Sequence, residues 1–258
     1  MEFFQLYLFS GALIIAMMTA LWVLSLVLKN SSIVDIFWGT GFVIINLAAY
    51  LCSQQSTQQA LVTIIVTLWG LRLSIHIFLR NHGKPEDFRY AQWRIDSGSR
   101  WWWISFFKVF LLQSILMWII AAPLLAVQTV ANVSSHIVVN VVGIAVWAIG
   151  FFFEVVSDYQ LARFKSDSQH QGKLLNSGLW HYSRHPNYFG DTMQWWGFYI
   201  LAAASGYWWT IFSPAIMTLL LLRVSGVTLL EKTMKTRPGY EEYMRATNAF
   251  FPWPPKLR

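Results

Sequence analysis

The residues with chemistry to offer sit mostly in the second half of the chain. In "GLWHYSRHPNYFGDTMQWWG", residues 178–197, Arg184 and His185 come just before Pro186, and Asn187 and Asp191 follow it four residues apart. Proline is tolerated at the first position of a helix, where its missing N–H costs little. A helix beginning there carries Asn187 and Asp191 on one face, and Tyr188 and Thr192 on another. The positive end of its dipole, with Arg184 and His185 beside it, suits phosphates or a carboxylate. Tyr182 belongs to the same stretch. Trp195 and Trp196 read as members of an aromatic belt at a membrane interface.

Further candidates flank this segment. "FFFEVVSDYQLARFK" places Glu154 and Asp158 four apart, with Arg163 and Lys165 following. Two carboxylates on an apolar helix need partners, either nearby arginines or the hydroxyls and amide of a bound cofactor. In the first half, Asp35 opens an apolar run in "SSIVDIFWGTGF". It is either a charge favoured by the helix dipole or a proton-handling carboxylate facing substrate. Gly39 and Gly41 beside it permit close helix packing. Arg72, His76 and Arg80 recur every four residues on one face, as interfacial anchors or as a cavity wall. Tyr90 and Trp93, in "GKPEDFRYAQWR", are candidates for a cavity rim. The tail contributes Arg223, Glu231 and Tyr240, with an amphipathic helix around Tyr240–Tyr243 and a closing "FPWPP" that lies along the membrane surface.

The elements that must position these groups follow from composition. Of 258 residues, 56% are hydrophobic and 12% charged, against about 25% charged in a soluble domain. Mean hydropathy is +0.45. Such a chain reads as all-α and polytopic, since only helices and closed barrels satisfy their backbone in lipid. Seven segments approach the length of a span: 3–28, 33–51, 60–78, 102–127, 137–156, 188–204 and 207–222. With the N-terminus outside, every outer loop lacks Lys and Arg, and the basic loops fall inside. This predicts seven spans, N-out and C-in, with a retained first helix rather than a cleaved signal peptide. The net charge of +7 then belongs to the inner membrane face, not to a nucleic-acid site. The expected domain organisation is one integral domain over 1–258, with 154–258 as its cofactor-binding part.

Several chemistries are excluded. One cysteine, Cys52, permits no internal disulfide and no multi-cysteine metal site, and it reads as small apolar filler near a helix end. There is no Rossmann glycine fingerprint, no P-loop and no HExxH set, and no metal site is expected.

The motifs together resemble a known family. "VDIFWG", "WGLRLSIHIFLRNHGKPEDFRY", "EVVSDYQLARFK", "GLWHYSRHPNYFGDTMQWWGFY" and "RPGYEEYMRATNAFFPWPP" resemble DUF1295, which is grouped with the steroid 5-alpha-reductase C-terminal domain. That resemblance implies a membrane reductase using NADPH on a conjugated C=C bond of a lipid-like or steroid-like substrate. It implies cofactor contacts from Glu154, Asp158, Lys165, Tyr182, Arg184, Asn187, Asp191, Arg223, Glu231 and Tyr240. Asp35, His76, Tyr90, Tyr182 and His185 are the candidates for polarising the carbonyl or handling the proton. Some positions depart from the steroid reductases: Glu154 stands for an amide, Lys165 for an arginine and Glu231 for a tyrosine. Their glutamate–tyrosine pair has no clear match in the first half of this chain. "SRHPNYFG" is also similar to a segment of isoprenylcysteine carboxyl and phospholipid methyltransferases, implying S-adenosylmethionine near His185, Tyr188 and Glu231. A non-catalytic lipid-binding protein is the third reading. The implied setting is the bacterial inner membrane.

Overall fold

The computed structural model describes residues 2–130, 136–224 and 226–256. No strand occurs among them. The chain forms two compact units, Met1–Ser135 and His136–Arg258, so the expected cofactor part from Glu154 starts well inside the second unit.

The first unit contains α1 (Phe3–Leu28), α2 (Ile33–Leu51), α3 (Thr57–Asn81), α4 (Phe88–Ser97), α5 (Trp101–Ser105), α6 (Leu112–Ile120) and α7 (Ala122–Gln128). A wide helical turn at Phe106–Leu111 joins α5 to α6. The start of α3 is set by a reciprocal cap between Ser56 and Gln59, which satisfies two otherwise orphaned N–H groups. Helices α2 and α3 approach closely at Gly39 and Gly70; a Cβ on Gly39 would lie 2.1 Å from the Gly70 carbonyl oxygen. Gly41 is also packed, facing the side chains of Met17 and Met117. Buried Asn46, Thr63 and Gln128 hydrogen-bond to one another, and Gln59 donates to the Gln128 carbonyl at 2.8 Å. This polar seam ties α2, α3 and α7 together.

The second unit contains α8 (Ile137–Ser166), α9 (Pro186–Ala204), α10 (Phe212–Leu219), α11 (Val227–Met234) and α12 (Tyr240–Ala246). Its framework is the α8–α9 pair. Gly143 and Gly150 on α8 and Gly190 and Gly197 on α9, each pair spaced by seven, form the seam. A Cβ on Gly150 would stand 2.5 Å from the Gly190 oxygen, and one on Gly190 would stand 2.5 Å from the Glu154 nitrogen. Small residues at such a seam let two backbones touch.

Among the described residues, six helical stretches are long and apolar enough to cross a membrane: Phe3–Leu28, Ile33–Leu51, Thr57–Asn81, Phe88–Ile120, Ile137–Ser166 and Trp208–Met234. They keep large apolar side chains exposed, such as Phe4, Val27, Leu79 and Val138, which in water would be costly. The chain is an integral, multi-pass membrane protein. The expected sixth span corresponds to α9, which has 19 residues and a length of about 28 Å. It is not among the six, because Asn187, Asp191, Gln194 and three glycine or proline positions dilute its apolarity.

Other boundaries also move. The fourth span begins at Phe88, within a stretch read as a loop, and α8 runs ten residues past the expected end at 156. The loop read at 128–136 lies largely outside the described residues. Trp195 is fully buried against Phe198, with ring centroids 5.6 Å apart, so it is core rather than belt. Cys52 ends α2 and is exposed rather than filling a gap.

Candidate functional site

The second unit holds a cavity of about 620 Å³, within the size range of small-molecule sites. Its walls come from the end of α8, the segment 166–175, the turn before α9, and α11 and α12. Lys165, Lys173, Arg184 and Arg237 line it, against one carboxylate, Asp167. Trp180, Tyr240 and Tyr243 contribute aromatic surface. Trp180 Nε1 donates to the Ser157 carbonyl at 3.1 Å, and the Tyr243 hydroxyl donates to the Trp180 carbonyl. Burial pushes the Tyr240 and Tyr243 hydroxyls up from their ordinary pKa, so both remain protonated.

Arg184 is the anchor of this region. Its Nε donates to Glu231 at 2.9 Å and its Nη2 to the same oxygen at 2.5 Å. Its Nη1 donates to the carbonyls of Met244, at 3.1 Å, and Thr247. One guanidinium therefore clasps α11 and the end of α12 to the turn before α9. The tail completes the clasp: Ser183 Oγ donates to the Phe250 carbonyl at 2.8 Å, and the Trp253 N–H donates to the Tyr182 carbonyl at 3.0 Å. The closing "FPWPP" is thus docked through its backbone, although Trp253 keeps its ring exposed. Next to Arg184, the buried His185 ring stacks on Tyr188 at 5.6 Å, and its Nε2 stands 3.5 Å from Glu231.

Pro186 does open α9. Asn187 then reaches α8, with Nδ2 donating to Asp158 at 3.0 Å, while its Oδ1 accepts the Tyr188 N–H. Gln194 donates to buried Glu154 at 2.6 Å. The two carboxylates of α8 thus find amide partners on α9.

The first unit carries a second polar cluster. Tyr90 donates to Asp35 at 2.8 Å and accepts from Gln113 Nε2 at 3.2 Å. Gln113 Oε1 in turn accepts from Trp38. Arg89 stands 3.5 Å from Asp35 and binds Asp87 at 2.9 Å. Burial opposes ionisation of Asp87, but its bonds from Arg89 outweigh that and hold its carboxyl below the usual range. Arg94 grips Glu86 through two bonds, at 2.9 and 2.8 Å, and Glu86 also accepts the Ser31 N–H. A carboxyl–phenol pair absent from any short motif is thus assembled from α2 and α4.

Both units are covered by one family model, described as "Protein of unknown function (DUF1295)", which matches residues 21–247. The chain belongs to the DUF1295 family. A curated relative of this DUF1295 protein, an uncharacterised protein of Schizosaccharomyces pombe, is 25% identical over 266 residues, covering 90% of this chain and 75% of its own length. No solved structure matches.

Within the DUF1295 chain, the expected site residues separate into groups. Lys165, Arg184, His185 and Tyr240 line the cavity, and Glu231 holds Arg184. Glu154, Asp158, Asn187 and Asp191 lie along the α8–α9 seam and outside that lining. Tyr182 is 44% exposed and Arg223 is exposed, and neither lines the cavity. Asp35 and Tyr90 meet in the first unit, and His76 and Arg72 lie half-buried on α3. Sequence reasoning missed Lys173, Trp180 and Arg237 as lining groups. The basic charge of Lys173 and Arg237 was visible, but only the fold turns those side chains to one cavity. Among the described residues no cluster of three or more His, Cys, Asp or Glu could hold a metal.

Proposed function

We propose that this DUF1295 protein is a membrane oxidoreductase that uses NADPH to reduce a C=C bond conjugated to a carbonyl in a lipid-like substrate. The observation that carries the reading is the charge of the cavity: four Lys or Arg and one Asp among its lining residues, a positive excess that remains after Arg184 pairs with Glu231. A polyanion gains from such a lining, whereas the cationic sulfonium of S-adenosylmethionine does not. NADPH supplies a hydride when bound. Lys165 is assigned to its bridging phosphates, and Tyr240 and Trp180 to the apolar side of its binding. The Asp35–Tyr90 pair of the first unit, oriented by Gln113, is assigned to handle a proton. Inner-membrane location with the N-terminus outside belongs to the same proposal.

Calorimetry on the full chain in detergent tests the cofactor. NADPH is expected to bind at least tenfold, or about 1.4 kcal/mol, more tightly than S-adenosylmethionine. Binding of the methyl donor alone would refute the reductase reading in favour of methyl transfer.

A separate measurement addresses the first unit. With a 3-keto-4-ene steroid and an α,β-unsaturated fatty ketone as probes, Tyr90→Phe is expected to lower NADPH oxidation about a hundredfold while NADPH affinity stays unchanged. Full activity of Tyr90→Phe would remove the pair from the mechanism.

A further inference from the structure

We infer that Lys173 and Arg237 form a phosphate subsite at the open side of the cavity, and that this subsite selects a dinucleotide carrying a 2′-phosphate over one without it. The inference rests on the NADPH reading and adds to it the residues that make the choice.

The four cations of the cavity are not equivalent. Arg184 spends Nε, Nη1 and Nη2 on Glu231 and two carbonyls, so its donors serve the clasp. Lys165 is not free either. Lys173 and Arg237 differ from both. Among the described residues, their hydrogen bonds are all made by the backbone: their N–H groups donate to the carbonyls of His170 and Met234, and the Arg237 carbonyl accepts the Tyr240 N–H. Both line the cavity and both are exposed to solvent. They also come from separate elements: Lys173 from the segment after α8, and Arg237 from the turn between α11 and α12. Two unspent cations from different elements face one cavity.

The chemistry of the ligand decides which phosphate suits them. Each phosphate of a pyrophosphate bridge carries about one negative charge. A phosphate monoester carries about −1.5 to −2 near neutral pH and offers three acceptor oxygens. The more highly charged and better hydrated group belongs where the cations are unpaired and solvated. The planar Arg237 fork can hold two phosphate oxygens at once, and Lys173 adds a point charge.

The test uses the full chain in detergent, titrated by calorimetry with NADPH and with NADH. Lys173→Ala and Arg237→Ala are each expected to weaken NADPH binding about tenfold and to leave NADH binding within about twofold. Raising salt is expected to weaken NADPH binding to the parent protein more than to the double variant. Unchanged NADH affinity also shows that the variants fold. NADPH affinity that survives both substitutions would overturn the subsite and leave the reductase reading standing. Equal weakening of NADPH and NADH would overturn the 2′-phosphate assignment. A parent protein that binds neither dinucleotide would overturn both.

Discussion

Gly190→Leu is expected to abolish the folded protein, read as loss of a monodisperse peak in detergent and loss of a cooperative thermal transition. The cause is a backbone contact that cannot yield. A Cβ at Gly190 would stand 2.5 Å from the Glu154 nitrogen and 2.6 Å from the Gly150 oxygen. Both obstacles are main chain in the middle of α8, so the helices must separate instead. Overpacking of this kind costs about 3 kcal/mol or more, and separation also removes the 2.6 Å bond between Gln194 and Glu154. A total margin of about 5–15 kcal/mol leaves little room for it. Gly172→Ala provides the contrast, since its Cβ meets nothing within 4 Å and only its φ of +79° resists the change. That cost is about 1–2 kcal/mol. A Gly190→Leu protein that melts close to the parent would remove the seam from the account of this unit.

Arg184→Ala is expected to have the second largest effect, about 3–5 kcal/mol of lost stability. The pair is well shielded, with side-chain exposures of 7% for Arg184 and 16% for Glu231. Deleting the guanidinium leaves a largely buried carboxylate beside His185 and strips the Met244 and Thr247 carbonyls of their donor. Arg184→Lys is expected to recover only part of the loss, because an ammonium cannot replace the planar fork. Glu231→Gln keeps an acceptor and loses less. Hydrogen exchange localises the effect: protection is expected to fall first across 227–256, where the clasp acts. Uniform loss of protection over the second unit, with no early release of that stretch, would contradict the clasp.

The span count shows how far composition reaches. Apolar runs with sparse charge made the boundaries of α1 and α2 legible, because a backbone in lipid must bond to itself and a helix is the local way to do so. The beginning of α9 was legible too, since Pro186 has no N–H to lose there. The extension of the fourth span back to Phe88 was not, because "DFRYAQWR" reads as a solvated loop until Asp87, Arg89 and Tyr90 are seen to satisfy one another through Asp35. Charges that look too many for a span are tolerated once they are paired.

The candidate site divides in the same way. Spacing alone placed Glu154 and Asp158 on one face of α8, and either ion pairing or ligand binding remained open. In the fold, amides of α9 reach both carboxylates, Gln194 to Glu154 and Asn187 to Asp158, where the glycine seam brings the two helices together. Arg184 stood out in sequence as a cation at a helix start, where an anionic ligand is a natural expectation. Its donors instead meet Glu231, Met244 and Thr247, between 47 and 63 residues away in the chain.

What the sequence determined by itself is local: helical spans from apolar runs, a helix start from proline, shared faces from four-residue spacing, and family membership from linked motifs. What tertiary structure decided is which charges are spent and which are left over. Hydrogen-bond partners distant in sequence take up Arg184 and Tyr90, and leave Lys173 and Arg237 with unspent cationic ends on one cavity. Charge can be counted along a chain, but its neutralisation depends on distances of a few ångströms across the fold.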